Sequence, residues 1–230
     1  MVALQMLLLA FGCGVLVWMY EPWWARMPLA WGALTFLLVA AAYALNRPAL
    51  FGKRADGRLQ VLSSLPLFPY LLLQSATHHL QRLLSSEDAF NEIHDGLFLG
   101  RRLTAREQRE VKVLAVLDLT AEWTERRPFR DLDYLCIPVL DKAAPTQAEL
   151  ETGVAFICEK LKSGSVYVHC AQGHGRSGIF VAAAAIALGV SDAPRAAVEF
   201  MQHKRPGAKP SRAQLASLEE YALRLRSVPS

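Results

Sequence analysis

The sequence predicts an α/β domain, its central and mostly parallel sheet flanked by helices, preceded by a two-helix transmembrane hairpin. Two long uncharged runs open the chain, and Glu21 and Arg26 are the only charged residues before Asn46, although charged residues make up 20% of the 230. From Asn91 onward short apolar runs alternate with amphipathic segments, the pattern of strands feeding crossover helices.

Met1 to Tyr20 is about as long as a ~30 Å hydrocarbon core requires, and Leu29 to Asn46 is a second such run. Trp23 and Trp24 between them suit the membrane interface. Arg47, Lys53, Arg54 and Arg58 follow against a single Asp56, which by the positive-inside rule puts the downstream chain in the cytoplasm. The first run lacks the basic start and small-residue cleavage site of a signal peptide. Residues 59–90 are broken by Pro66 and Pro69 and predict a connecting or interfacial helix rather than a third span, with His78 and His79 in solvated surface positions. The expected layout is a hairpin over residues 1–58, with spans at about 1–20 and 29–46, a connector over 59–90 and the α/β domain over 91–228. A compact two-span anchor of this kind suits a multi-pass protein of a bacterial inner membrane.

Within the α/β domain, "HDGLFLG" predicts a strand and "TAREQREV" a helix opened by a Thr104–Glu107 capping box. "KVLAVLDLT" and "DYLCIPVLD" read as buried strands, and "TQAELETGVAFICEKLKSG" as a helix capped by Thr146 and Glu149. "SVYVHC" is a strand, "GRSGIFVAAAAIALG" a buried helix, "SDAPRAAVEFMQHK" a helix with Pro194 in its first turn, and "SRAQLASLEEYALRLR" a closing amphipathic helix.

A net charge of +4 and a pI near 9.0, scattered along the chain, argue against nucleic acid and for a basic membrane-proximal face. Cys13, Cys136, Cys158 and Cys170 form no CxxC pair and no ligand spacing with the histidines, so neither disulfide nor metal site is expected. Cys136 and Cys158 lie in apolar runs and read as core, and Cys13 as membrane-embedded.

"VYVHCAQGHGRSGIF" places Cys170 at a strand end and Arg176 at the next helix start. Backbone amides of the loop between them form a nest for a tetrahedral anion, given the turns that Gly173, Gly175 and Gly178 allow. Arg176 can grip two phosphate oxygens with its planar fork, and the same positive surroundings favour the thiolate of Cys170. A thiolate in an anion nest is a nucleophile suited to phosphorus, and its leaving group needs a proton. Asp141, in a loop after a strand, is the best-placed acid; Asp118 reads as a structural hydrogen-bonding group, and Asp131 and Asp133 as turn residues.

His169-Cys170-x5-Arg176-Ser177, with the acid ahead of the nucleophile, resembles the signature of the cysteine-dependent protein tyrosine phosphatase superfamily and its dual-specificity branch. "IHDGLFLGRRLTA" and "KRPGAKPSRAQLASLEEY" resemble the opening strand and closing helix of that branch. The resemblance implies Cys170 as nucleophile, Arg176 as phosphate binder, Asp141 as general acid and then base, Ser177 as the hydroxyl that helps the sulfur leave, and His169 as loop support. It also implies a phosphate-binding loop of Ala171, Gln172, Gly173, His174, Gly175 and Arg176, with no metal or cofactor. "VLDKAAPT" resembles the acid loop of enzymes acting on phosphatidylglycerophosphate. "GHGRSG" is similar to the phosphoinositide phosphatases, with His174 and Ala171 replacing their basic residues and leaving a less basic pocket. The expected partners are a phosphoprotein or phospholipid substrate and the lipid bilayer. A phosphate-binding module without catalysis is the alternative from another class. Sulfur transfer or arsenate reduction is a third, disfavoured because no second thiol neighbours Cys170 in sequence.

Overall fold

The structure is a computed structural model and describes residues 1–227; residue 228, the expected end of the α/β domain, lies outside them. The chain forms two compact units. The first holds Met1–Arg54, Arg58–Ser85 and Ala121–Trp123; the second holds Ala55–Gly57, Ser86–Thr120 and the chain from Thr124 onward.

In the first unit, α1 (Val2–Met19) and α2 (Trp23–Ala44) are each long and apolar enough to cross a membrane. They pack through small residues: Ala10 on α1 and Gly32, Thr35, Ala40 and Ala42 on α2 are buried, while Leu4, Leu8, Phe11 and Leu37 face outward. α2 begins at Trp23, six residues before the expected Leu29, and takes both interfacial tryptophans into the helix. Pro28 did not delay the helix. It removes one backbone donor near the N-terminus, and the helix continues through it.

The connector forms a single turn, α3 (Val61–Ser64), and then α4 (Phe68–Leu84), with Pro69 in its first turn where no intrahelical donor is needed. The Thr35 hydroxyl donates to the Pro66 carbonyl at 2.6 Å, and Trp31 stacks on Phe68 with ring centroids 5.9 Å apart. His78 corrects the expectation of a solvated surface position: it is buried, its ring 5.2 Å from that of Trp123, whereas His79 is exposed. An aromatic neighbour distant in sequence gave no local signal.

The second unit is a five-stranded sheet in the order β1-β2-β5-β3-β4, formed by β1 (Phe90–His94), β2 (Leu97–Gly100), β3 (Ala115–Thr120), β4 (Asp133–Val139) and β5 (Val166–His169). β2, β5, β3 and β4 are mutually parallel, as expected; β1 is antiparallel to β2 at the edge. β1 did not read as a strand because only Ile93 of its five residues is buried. The Asp95-Gly96 pair, with Gly96 at φ 75°, is the hairpin signal that could have revealed it.

Around the sheet lie α5 (Ala105–Glu110), α6 (Arg127–Arg130), α7 (Gln147–Leu161), α8 (Arg176–Ala187), α9 (Pro194–Lys204) and α10 (Arg212–Ser227). Both capping boxes form, with Thr104 and Thr146 each accepting from the backbone N–H three residues on. α6, one turn long, had no sequence periodicity to announce it. α8 is buried over nearly its whole length, Arg176 to Ala185, and is the central helix of the main core. Cys158 packs against that core, where burial pushes its thiol pKa up.

Candidate active site

β5 is central in the sheet, and its last residue, His169, aligns with Gly100 of β2 and Asp118 of β3. Ligand sites of parallel sheets form at this carboxyl edge. Cys170 follows immediately, 3% exposed, and after five intervening residues α8 starts at Arg176.

The loop between them is tied from outside by its carbonyls. The Arg102 N–H donates to the Ala171 carbonyl at 3.1 Å; Arg205 donates through Nη2 to the Gln172 carbonyl at 3.1 Å and through Nε to that of Gly173 at 3.0 Å. In a planar trans peptide the N–H points opposite to the C=O. Binding these three carbonyls therefore turns the amides of Gln172, Gly173 and His174 the other way, into an anion nest. Arg205 also holds Asn91 Oδ1 at 2.7 Å and the Asp88 carbonyl at 3.1 Å, so one buried guanidinium organises both segments. Burial lowers its pKa, and Glu87, 3.6 Å from Nη2, opposes that.

The Ser177 hydroxyl donates to Cys170 Sγ at 3.2 Å. Arg176, 1% exposed, donates through Nη1 to the Val139 carbonyl at 2.9 Å, and its Nη2 lies 3.6 Å from Asp141 Oδ1. The end of β4 thus aims the guanidinium, and the following loop presents Asp141 with its side chain half exposed. The loop is secured by α10 and the segment before it: Ser211 Oγ donates to the Lys142 carbonyl at 2.9 Å, Gln214 Nε2 to that of Ala143 at 3.0 Å, and Ser217 Oγ to that of Pro145 at 3.2 Å.

The three rivals of Asp141 have other employment. Asp118 accepts from the Thr120 N–H at 2.8 Å, the Thr120 hydroxyl at 2.7 Å and the Tyr134 hydroxyl at 2.7 Å. Burial, with Asp118 beside it, pushes the Tyr134 phenol well above its usual range, so that group stays a donor. Asp131 pairs with Arg127 at 3.3 Å, and Asp133 with Lys160 at 2.9 Å at the far end of β4.

The profile described as "Dual specificity phosphatase, catalytic domain" matches residues 97–224, more than half of the chain. The chain belongs to this family. It is a cysteine-based phosphatase, and its dual-specificity domain resembles solved structures along nearly their whole lengths. Tk-PTP in its active form is 27% identical with a TM-score of 0.55, covering 59% of this chain and 97% of that one. PTPMT1 in complex with PI(5)P is 23% identical with a TM-score of 0.56, covering 61% and 98%. The human tyrosine phosphatase-like serine/threonine/tyrosine-interacting protein is 22% identical with a TM-score of 0.54, covering 60% and 98%. No curated protein matches the sequence in direct comparison.

The phosphatase loop rests on a buried polar layer. His169 Nδ1 lies 3.4 Å from the Cys170 carbonyl, and Nε2 lies 3.5 Å from Glu125 Oε2 and 3.9 Å from Asp118 Oδ1. Asp118, Glu125 and His169 bring their ligand-type atoms within 4.8 Å of one another. Protein donors already engage these carboxylates: Glu125 Oε1 accepts from Gln108 and from the Arg126 N–H at 2.7 Å. The cluster therefore reads as a layer of carboxylates held by other protein donors, with His169 Nε2 packed beside them at 3.5–3.9 Å and not hydrogen-bonded to them.

Sequence reading did not find Arg205, Glu87, Glu125 or Gln214. Arg205 stood in the quoted "KRPGAKPS" as one of three basic residues with nothing to single it out. Glu87, at 2.6 Å from His174 Nε2, precedes the domain's first strand. Gln214 is fully buried; it accepts from the Ser211 N–H at 2.8 Å, and a Cβ on Gly175 would lie 2.9 Å from its Oε1. It touches the acid loop and the phosphate loop at once. Gln214→Ala is expected to destabilise the domain by about 1–3 kcal/mol, because it leaves a buried carbonyl unsatisfied. The same change should slow alkyl phosphate hydrolysis more than aryl phosphate hydrolysis, since the loop bearing Asp141 loosens. Chemical denaturation and the two rates measured side by side test this.

Proposed function

We propose that this chain is a membrane-anchored phosphatase that hydrolyses phosphomonoesters through a phosphocysteine intermediate. The observation that carries the reading is Cys170 Sγ at the base of a loop whose carbonyls are tied outward, with Arg176 and Asp141 3.6 Å apart beside it. In the first step the Cys170 sulfur attacks phosphorus and the ester P–O bond breaks. Arg176 and the loop amides of residues 171–175 hold the equatorial oxygens, and Asp141 gives its proton to the leaving oxygen. In the second step water attacks phosphorus, Asp141 takes the water's proton, the S–P bond breaks and Ser177 donates its hydrogen bond to the departing sulfur. His169 supports the loop.

Two apolar helices in the first unit support an anchor in the bilayer, and the basic residues after α2 support a cytoplasmic catalytic domain in a bacterial inner membrane. A phosphate group on a lipid headgroup or on protein serine, threonine or tyrosine fits the chemistry. The anchor favours the lipid, of the phosphatidylglycerophosphate type, because it keeps the site within reach of headgroups.

The test is phosphate release by the full chain in detergent from phosphatidylglycerophosphate, a phosphotyrosine peptide and p-nitrophenyl phosphate. The lipid is expected to be preferred over the peptide. Asp141→Asn should slow hydrolysis of the alkyl ester by about 10²–10⁴-fold and of p-nitrophenyl phosphate far less, since its leaving group needs no proton. Equal loss on both would remove Asp141 from the acid role, and no release from any substrate by the wild type would overturn the enzymatic reading.

A further inference from the structure

Wholly within the catalytic unit, a groove of about 740 Å³ is lined by Arg102, Arg109, Arg126, Arg127 and Arg130 on the two short helices α5 and α6 and the segments before them. Asp131 and buried Glu125 are the acidic residues in its lining. Asp131 is paired with Arg127 at 3.3 Å, and Glu125 is already engaged by Gln108 and the Arg126 N–H. Among the described residues the side chains of Arg109, Arg126 and Arg130 have no hydrogen-bond or carboxylate partner, and Nε of Arg130 is buried without one. Like charges held this close repel, and a planar guanidinium fork matches phosphate oxygens.

The groove also touches the catalytic loop. Arg102, which lines it, donates its backbone N–H to the Ala171 carbonyl one residue after Cys170, and its Nη2 donates to the Thr124 carbonyl at 2.7 Å.

We propose that this groove binds the phosphodiester headgroup of an acidic phospholipid, so that anionic bilayer lipid docks the catalytic domain while Cys170 works on a separate phosphate. The groove is shallow and open, so a headgroup presented from a bilayer can reach it, and Ala105 and Pro128 give the lining an apolar side for the glycerol carbons. The occupant follows from the chain itself: a domain tethered to two apolar spans meets phospholipid headgroups at far higher local concentration than any soluble anion. The inference rests on the membrane reading above and deepens it.

The full chain is assayed in mixed micelles on phosphatidylglycerophosphate diluted in phosphatidylcholine, with and without phosphatidylglycerol, for the wild type and an Arg109→Ala/Arg126→Ala/Arg130→Ala variant. Phosphatidylglycerol is expected to lower the apparent KM of the wild type by about tenfold or more, an effect that fades with added salt and is lost in the variant. Hydrolysis of p-nitrophenyl phosphate should be unchanged in the variant, which also shows that it folds; Arg126→Glu, a single exposed change, should act in the same direction. In parallel, binding of monomeric dihexanoyl phosphatidylglycerol is measured by calorimetry. A variant that responds to phosphatidylglycerol as the wild type does overturns the proposal. So does a variant that, assayed in parallel on a phosphotyrosine peptide, loses only that hydrolysis, which would make the groove a protein-docking site. If the wild type hydrolyses nothing, the enzymatic reading falls, and the calorimetric comparison still decides the groove.

Discussion

Cys170→Ser is expected to lower phosphate release by about four or more orders of magnitude, because a nucleophile that acts with its neighbours as a unit takes nearly the whole rate with it. Serine keeps the shape but not the chemistry: a hydroxyl is a far weaker acid than a thiol, whereas Sγ of Cys170 accepts from Ser177 at 3.2 Å at the head of α8. Fold and anion binding should survive. The amides of the loop stay turned inward because Arg102 and Arg205 hold the carbonyls from the other side, independently of the sulfur. The variant should therefore unfold at the wild-type denaturant concentration and bind tungstate or inorganic phosphate with similar affinity, as calorimetry would report. A variant that lost binding together with turnover would mean that the sulfur builds the nest. One that kept turnover would remove Cys170 from the reaction.

Gly173→Ala should do the opposite, ruining the nest while leaving the nucleophile in the chain. Gly173 sits at φ 73°, and a Cβ there would lie 2.5 Å from the carbonyl oxygen of Gly100 at the end of β2. The neighbour is backbone in a parallel pair with β5, so it cannot swing away as a side chain would. The left-handed conformation costs an alanine about 1–2 kcal/mol, and the overlap adds a further 1–3 kcal/mol. Relief by rotating the loop peptides would pull the Gly173 carbonyl off Arg205 Nε, now at 3.0 Å, and take an amide out of the nest. The expected result is a loss of stability in denaturant melts and a fall of about 10²–10³-fold in kcat/KM. Normal activity with normal stability would contradict the nest geometry.

These two residues also mark what could be read from the sequence. Cys170, Arg176 and Ser177 lie within eight residues of chain, so the strand-loop-helix unit that joins them is a local object, written in a β-rich run, a set of glycines and a helical pattern. The same holds for the parallel strands β3 and β5, whose continuous apolar runs follow from burial on both faces, and for the two capped helices α5 and α7. Asp141 stood out as the candidate acid because it follows a strand and precedes a capped helix.

Tertiary structure alone decided the parts that act across long separations. Arg205 reaches residues more than thirty positions back to turn the loop carbonyls, Gln214 spans 71 to hold the acid loop, and Glu87 lies 87 positions from its partner His174. A charged or amide side chain in a helix or turn carries no periodic mark of its distant partner, so its sequence reading is a solvated surface. The arginine groove is of the same kind, assembled from α5 and α6, which β3 separates in the chain and which meet only in the fold. Hydrophobic periodicity determines which faces are buried. Which polar groups then meet depends on the chain's path, and only the folded chain fixes that.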